Sequence, residues 1–195
     1  MSTSVRRRAD SGARANGGGS GGSSAGRKGG SEGPSLPGYL QVWLLVSSLI
    51  VCWDAGFVLN RPRTFPGGDL HAFWKPYALY ITVDKMYGNL SDAFVTSQSW
   101  LNLVEVAMNF AALRLYQGGV ASRKGRAIAC LVALVSLSFT FWKTALYMMY
   151  GQDDASHNPW TTYISLYAIP NGLWILVPAL GMHDLFRTLV AEIVR

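Results

Sequence analysis

The sequence predicts an all-α polytopic membrane protein: a four-transmembrane-helix bundle with an intramembrane cavity. Three observations carry this expectation. Half of the 195 residues are apolar and only 14% are charged, a balance too apolar for a soluble domain of this size. Four segments are each long enough to cross about 30 Å of hydrocarbon. Polar residues within those segments recur at helical spacing and at one depth, which points to a shared interior.

Residues 1–38 stand apart. They hold 11 of the 21 glycines, eight serines and six basic residues, Arg6, Arg7, Arg8, Arg14, Arg27 and Lys28, against two acids, Asp10 and Glu32. Without apolar periodicity or large side chains, such a stretch cannot bury enough surface to offset its chain entropy, so it reads as a disordered tail. It lacks the apolar run of a secretory signal. Its Arg and Ser content leaves an organelle transit peptide as one reading and a cytosolic tail touching anionic lipid as the other. The tail carries most of the net charge of +6. No basic face is left on the remainder, and no nucleic-acid partner is expected.

The membrane domain spans 39–190, with its four segments at about 39–59, 94–116, 127–150 and 161–183. Basic residues place the tail, the connection with Arg123, Lys124 and Arg126, and the C-terminus with Arg187 and Arg195 on one side. By the positive-inside rule both termini are expected in the cytosol. The connection 60–93 is too long for a passive turn. Its aromatic residues, among them Phe65, Phe73, Trp74, Tyr77, Tyr80 and Tyr87, suggest a segment at the interface or over a cavity mouth. Asn89-Leu90-Ser91 matches a glycosylation sequon but lies close to the second span, where helix capping is the simpler role. Cys52 and Cys130 sit inside apolar segments, and no structural disulfide is expected.

A charged side chain at mid-membrane costs about 2.5–3.5 kcal/mol on insertion scales, so each needs a reason. Asp54, Glu105 and Lys143 are such residues, joined by Gln98, Asn102, Asn109 and Asn171. Gln98, Asn102, Glu105 and Asn109 follow i, i+4, i+7, i+11 spacing and share one stripe. Thr140, Lys143, Thr144 and Tyr147 share a face of the third span. At about 1.5 Å per residue, the charged residues and most of the amides fall in a layer roughly 10 Å thick. That is the pattern of a single intramembrane site. Plainer readings exist: interhelical hydrogen bonding for Asn102 and Asn109, an Asp54–Lys143 ion pair as bundle glue, and a core or lipid contact for Trp174. Glu105 has at most Lys143 as a basic partner, which marks it as a carboxylic acid able to hold a proton.

No Gly-rich phosphate loop, Ser-His-Asp set or metal-ligand spacing is present; His71, His157 and His183 lie in connections or at a span end. Neither a metal nor a cofactor is expected.

The stretch from Trp53 to Leu59 (WDAGFVL), Gly68-Asp69-Leu70, Trp74-Lys75-Pro76-Tyr77, Asn102-Leu103-Val104-Glu105, and the stretch from Asn171 to Pro178 (NGLWILVP) together resemble the EXPERA family. That family includes emopamil-binding protein, the Δ8–Δ7 sterol isomerase, and the sigma-2 receptor. The likeness covers about residues 40–190. It implies a multi-pass endoplasmic-reticulum protein with a sterol-sized cavity, closed toward the cytosol. The isomerase adds one further span before this core, so four spans look more like the sigma-2 receptor. The family's first intramembrane acid falls on Asp54 and its second on Glu105, and the last-helix Asn and Trp fall on Asn171 and Trp174. Ile50 stands where the isomerase has a His, and Met108 where it has a Thr. An Asp at 54 is the choice of the sigma-2 branch; Asn171 and Trp174 are the choice of the isomerase.

The resemblance implies sterol binding, with two readings of its purpose. In an isomerase, Glu105 is the expected proton donor, Asp54 the base and Trp174 the stabiliser of a carbocation. Asn171, Asn102, Asn109, Tyr147 and Lys143 complete the expected binding set. In a non-catalytic sterol-binding or trafficking regulator the same cavity binds without turnover. Either takes a sterol or a cationic amphiphile from the bilayer, and a homodimer is a candidate assembly. A third option is a small scaffold subunit whose polar stripes only hold helices together.

Overall fold

The computed structural model describes residues 33–117 and 122–194, and every regular element among them is helical. The expected disordered tail falls almost wholly on residues outside this set. The end of that segment, Pro34 and Leu36, is buried, so the packed domain begins before residue 39.

Helix α1 (Gly38–Leu59) starts after Pro37, whose fixed ring suits a helix entry and whose carbonyl accepts from Leu40 and Gln41. The connection follows with a 3₁₀ turn (His71–Trp74) and two short helices, α2 (Tyr77–Val83) and α3 (Lys85–Gly88). Helix α4 (Ala93–Gln117) is capped by Asp92, whose Oδ1 accepts from the Val95 amide at 2.9 Å. The capping role expected of Asn89 is met at the end of α3, where its backbone N–H donates to the Lys85 and Met86 carbonyls and its Oδ1 accepts from the Ser91 amide at 3.0 Å. Ser122 caps α5 (Arg123–Tyr150) through the Gly125 amide. After α6 (Gln152–Ala155), α7 (Trp160–Thr162), a π-helical stretch (Tyr163–Ala168) and α8 (Ile169–Ile193) run on as one 34-residue helix.

Three helices are long and apolar enough to cross a membrane: α1, α5 and Trp160–Ile193. The last extends ten residues past its expected end at 183. Helix α4 has 25 residues, but its polar stripe keeps it outside that apolar group. It packs against α1 and α5, and α5 packs against α8. An edge-to-face contact of Trp43 with Trp174, centroids 5.1 Å apart, brings α8 back against α1. Gly181 permits a close approach on α8: a Cβ there would lie 2.7 Å from Leu40 and 2.8 Å from Leu137 side-chain carbons.

Two cores result. Leu36, Leu40, Leu44, Ala112, Leu113, Cys130, Ala133, Leu137, Leu185 and Leu189 fill one end of the bundle. Phe57, Val58, Tyr77, Val83, Met86, Val95, Tyr147, Ala155 and Tyr167 form the other, under the connections. Cys52 and Cys130 are both free thiols.

Candidate functional site

Between the two cores the helices meet through polar side chains. The Asn109 amide on α4 donates to Ser48 Oγ on α1 at 3.1 Å, and its carbonyl accepts from Ser136 Oγ on α5 at 2.6 Å. All three residues are buried, and the paired groups leave these atoms satisfied where no water can reach them. One turn away, Glu105 is 1% exposed and its Oε2 lies 3.3 Å from Lys143 Nζ. Lys143 also donates to Asn102 Oδ1. The ion pair thus joins α4 to α5, in place of the Asp54–Lys143 pair weighed from the sequence.

Above this layer opens a cavity of about 440 Å³, within the range of small-molecule sites, roughly 300–1,000 Å³. Helix α1 lines it with Ile50, Trp53 and Asp54, and α4 with Gln98, Ser99 and Asn102. Lys143, Thr144 and Tyr147 come from α5, and Pro170, Asn171 and Trp174 from α8. The connection supplies Tyr77, Leu79, Tyr80 and Tyr87, as expected of a segment over a cavity mouth. It is fastened to α1 by two indoles: Trp53 Nε1 donates to the Phe73 carbonyl, and Trp74 Nε1 to the Trp53 carbonyl at 2.8 Å. Gly56 makes room for this, since a Cβ there would touch the Trp74 ring at 3.0 Å. Arg61 ties the far end down, donating to the carbonyls of Tyr87 and Asn89 and to Thr96 Oγ1.

Asp54 is the carboxylate of the cavity wall. Tyr77 donates to its Oδ1 at 2.6 Å, and Tyr87 reaches Oδ1 at 3.0 Å and Oδ2 at 2.9 Å. The two phenols leave both carboxyl oxygens with a hydrogen-bond partner inside the cavity wall. Burial, with the Asp54 charge beside them, raises the Tyr77 and Tyr87 hydroxyls above their ordinary range, so both stay protonated as donors. Asn171 donates to the Tyr167 carbonyl at 2.9 Å. The π-helical stretch ends just before Pro170, where a ring without an N–H forbids regular α-helical bonding. The widened turn sets Leu166, Pro170, Asn171 and Trp174 on the cavity wall.

The chain matches no protein-family model, no curated protein and no solved structure.

The expected site residues divide by position. Asp54, Asn102, Lys143, Tyr147, Asn171 and Trp174 line the cavity. Glu105 and Asn109 are not among its lining residues, although both lie on the α4 stripe. Gln98 and Asn102 come first along that stripe and meet the void, whereas Glu105 and Asn109 lie where α1 and α5 close on α4. Two parts of the site go beyond the sequence reading. The aromatic residues of 60–93 suggest a segment at the interface or over a cavity mouth but do not pair its tyrosines with a carboxylate, although Tyr77 and Tyr80 at i, i+3 on a short helix share a face. Asp84 lies in the same connection, outside the apolar segments whose polar residues mark the site. It is fully buried, caps α3 through the Met86 amide at 3.1 Å, and accepts from the Tyr147 hydroxyl. Burial pushes its carboxyl up to about 6, against the hydrogen bonds from Tyr147 and Met86.

The arrangement is a partly open, mostly apolar and aromatic chamber with one carboxylate held by phenols and two indoles, Trp53 and Trp174, on its wall. Such a chamber suits a rigid hydrophobic molecule carrying a positive or polarised centre.

Proposed function

We propose that this chain is a membrane-embedded binding protein for a sterol or similar hydrophobic ligand, of the kind the EXPERA resemblance implies. In this reading all four long helices cross the endoplasmic-reticulum membrane with both termini cytosolic. The cavity then lies inside the bilayer, reached by ligands and cationic amphiphiles from the lipid. The observation that carries the reading is the chamber itself, with Asp54 held by Tyr77 and Tyr87 on its wall. An amine places its charge against that carboxylate, and the apolar walls take the rest.

Binding without turnover is favoured over sterol isomerisation by the place of Glu105. Shifting a ring double bond needs one group to deliver a proton and another to remove one. Of the two acids expected to do so, Asp54 faces the cavity, whereas Glu105 lies behind Lys143 and is engaged by it. The isomerase reading keeps Asp54, Trp174 and Asn171 in place but requires the ion pair to open.

The test has two arms. The purified chain in detergent is titrated with a radiolabelled sterol-like tertiary amine, and saturable binding lost in Asp54→Asn is the expected result. Sterols are then analysed in a yeast strain lacking its Δ8–Δ7 isomerase and expressing this chain in the membrane. No rescue is expected. Rescue by the native chain that Glu105→Gln fails to give, at equal expression, would establish the isomerase instead. Absence of saturable binding would overturn the binding reading.

A further inference from the structure

The cavity has a second polar wall that the Asp54 carboxylate does not serve. Lys143 is the only ammonium among the described residues that lines the cavity, and its side chain is 9% exposed. One of its protons goes to Asn102 Oδ1, while Glu105 Oε2 at 3.3 Å pairs with its charge without making a hydrogen bond. The remaining protons have no hydrogen-bond acceptor among the described residues. Gln98 lies one turn before Asn102 on α4, is 8% exposed and also lines the cavity. Its amide makes no hydrogen bond to another described residue. Buried donors left without acceptors are costly, and here they face a space large enough to hold a molecule.

We infer that Lys143 and Gln98 form a recognition site for a neutral oxygen acceptor on the bound molecule, a hydroxyl or a ketone rather than a carboxylate. This rests on the proposed sterol-binding reading and deepens it. The charges decide between neutral and anionic acceptors. Lys143 already has the Glu105 carboxylate against it, and Asp54 adds a second negative charge on the same cavity. A carboxylate would bring a third anion to one cation away from bulk water, where like charges repel strongly. A hydroxyl or ketone accepts the free N–H with no such penalty. The cavity then orients its ligand with the oxygen at the α4/α5 wall and leaves the Asp54 side for a positive or polarised centre. Lys143 and Gln98 become selectivity determinants that separate oxygenated sterols from sterol hydrocarbons.

The experiment compares cholesterol, cholest-4-en-3-one and the 3-deoxy compound 5-cholestene, each corrected for its partition into the same micelles. The native chain should bind the alcohol and the ketone at least roughly tenfold more tightly than the hydrocarbon, as a hydrogen bond from a charged donor provides. Lys143→Met alone leaves Glu105 buried without its cation, so the decisive variant is the double exchange Lys143→Met with Glu105→Gln. In that variant the affinity ratio of the oxygenated sterols to 5-cholestene should fall to about one, whatever its absolute affinity for the hydrocarbon. Gln98→Leu, which alters no charge, should reduce the preference in part. Equal binding of all three sterols by the native chain, or a preference that survives the double exchange, overturns the inference. If no sterol binds saturably to the native chain, the sterol-binding reading fails and this inference with it.

Discussion

At the end of the bundle where α1 begins and α8 finishes, leucines, alanines and a cysteine from all four long helices close on one another. At the other end the same helices are held apart by aromatic rings. Phe57 stacks on Tyr77 with centroids 4.1 Å apart, and Phe94 on Tyr150 at 4.2 Å. Aliphatic side chains interdigitate and leave no polar atom to satisfy. Tyrosines carry hydroxyls that need partners, so Tyr77, Tyr87 and Tyr147 turn toward Asp54 and Asp84. A void is left between them. One end therefore supplies stability and the other supplies a site, with the Ser48–Asn109–Ser136 layer as the seam.

This contrast is open to experiment, and the largest effect is expected at the closed end. Leu44 is fully buried there, and Leu44→Ala should cost about 2–5 kcal/mol by removing packed methyl groups. Thermal denaturation in detergent checks this, and amine affinity should be unchanged. A parallel loss of affinity would mean that the two ends are not separable.

Next in size is a pH effect confined to the open end. Asp84 has a carboxyl raised from 3.8 to about 6, so the folded chain favours the protonated acid. The stabilisation is fully present below about pH 4 and is lost as pH rises through 6, a change of about 3 kcal/mol. Melting temperature should therefore fall between pH 5 and pH 7 in the native chain and hold level over that interval in Asp84→Asn.

Asp54→Asn should weaken amine binding by about 10–100-fold, the worth of a hydrogen-bonded charge in a dry site. It should leave the closed-end core intact, which amide hydrogen exchange of α5 would report. Smallest is Ser136→Ala in the seam, which removes one bond to Asn109. About 0.6 kcal/mol is expected, the average for interhelical hydrogen bonds in membranes. A loss several times larger would show that the seam acts as one cooperative network.

Residue order alone determined the helical class, the positions of the four long helices to within a few residues at most ends, and the inward faces of α4 and α5. Apolar length and 3.6-residue periodicity are local properties, and tertiary packing has little freedom to override them in a chain this apolar. Asp54, Asn102, Lys143 and Asn171 were legible for the same reason, since a polar group in an apolar segment must turn inward, whereas Trp174 came only through the family resemblance. Tertiary structure decided which groups meet. The sequence offered Asp54 and Glu105 as alternative partners for Lys143, and only the packing of α4 against α5 selected Glu105. It also carried Asp84 and three tyrosines from a polar connection into the interior. No periodicity marks that step, because it depends on how Arg61, Trp53 and Trp74 fold the connection back over the helix ends.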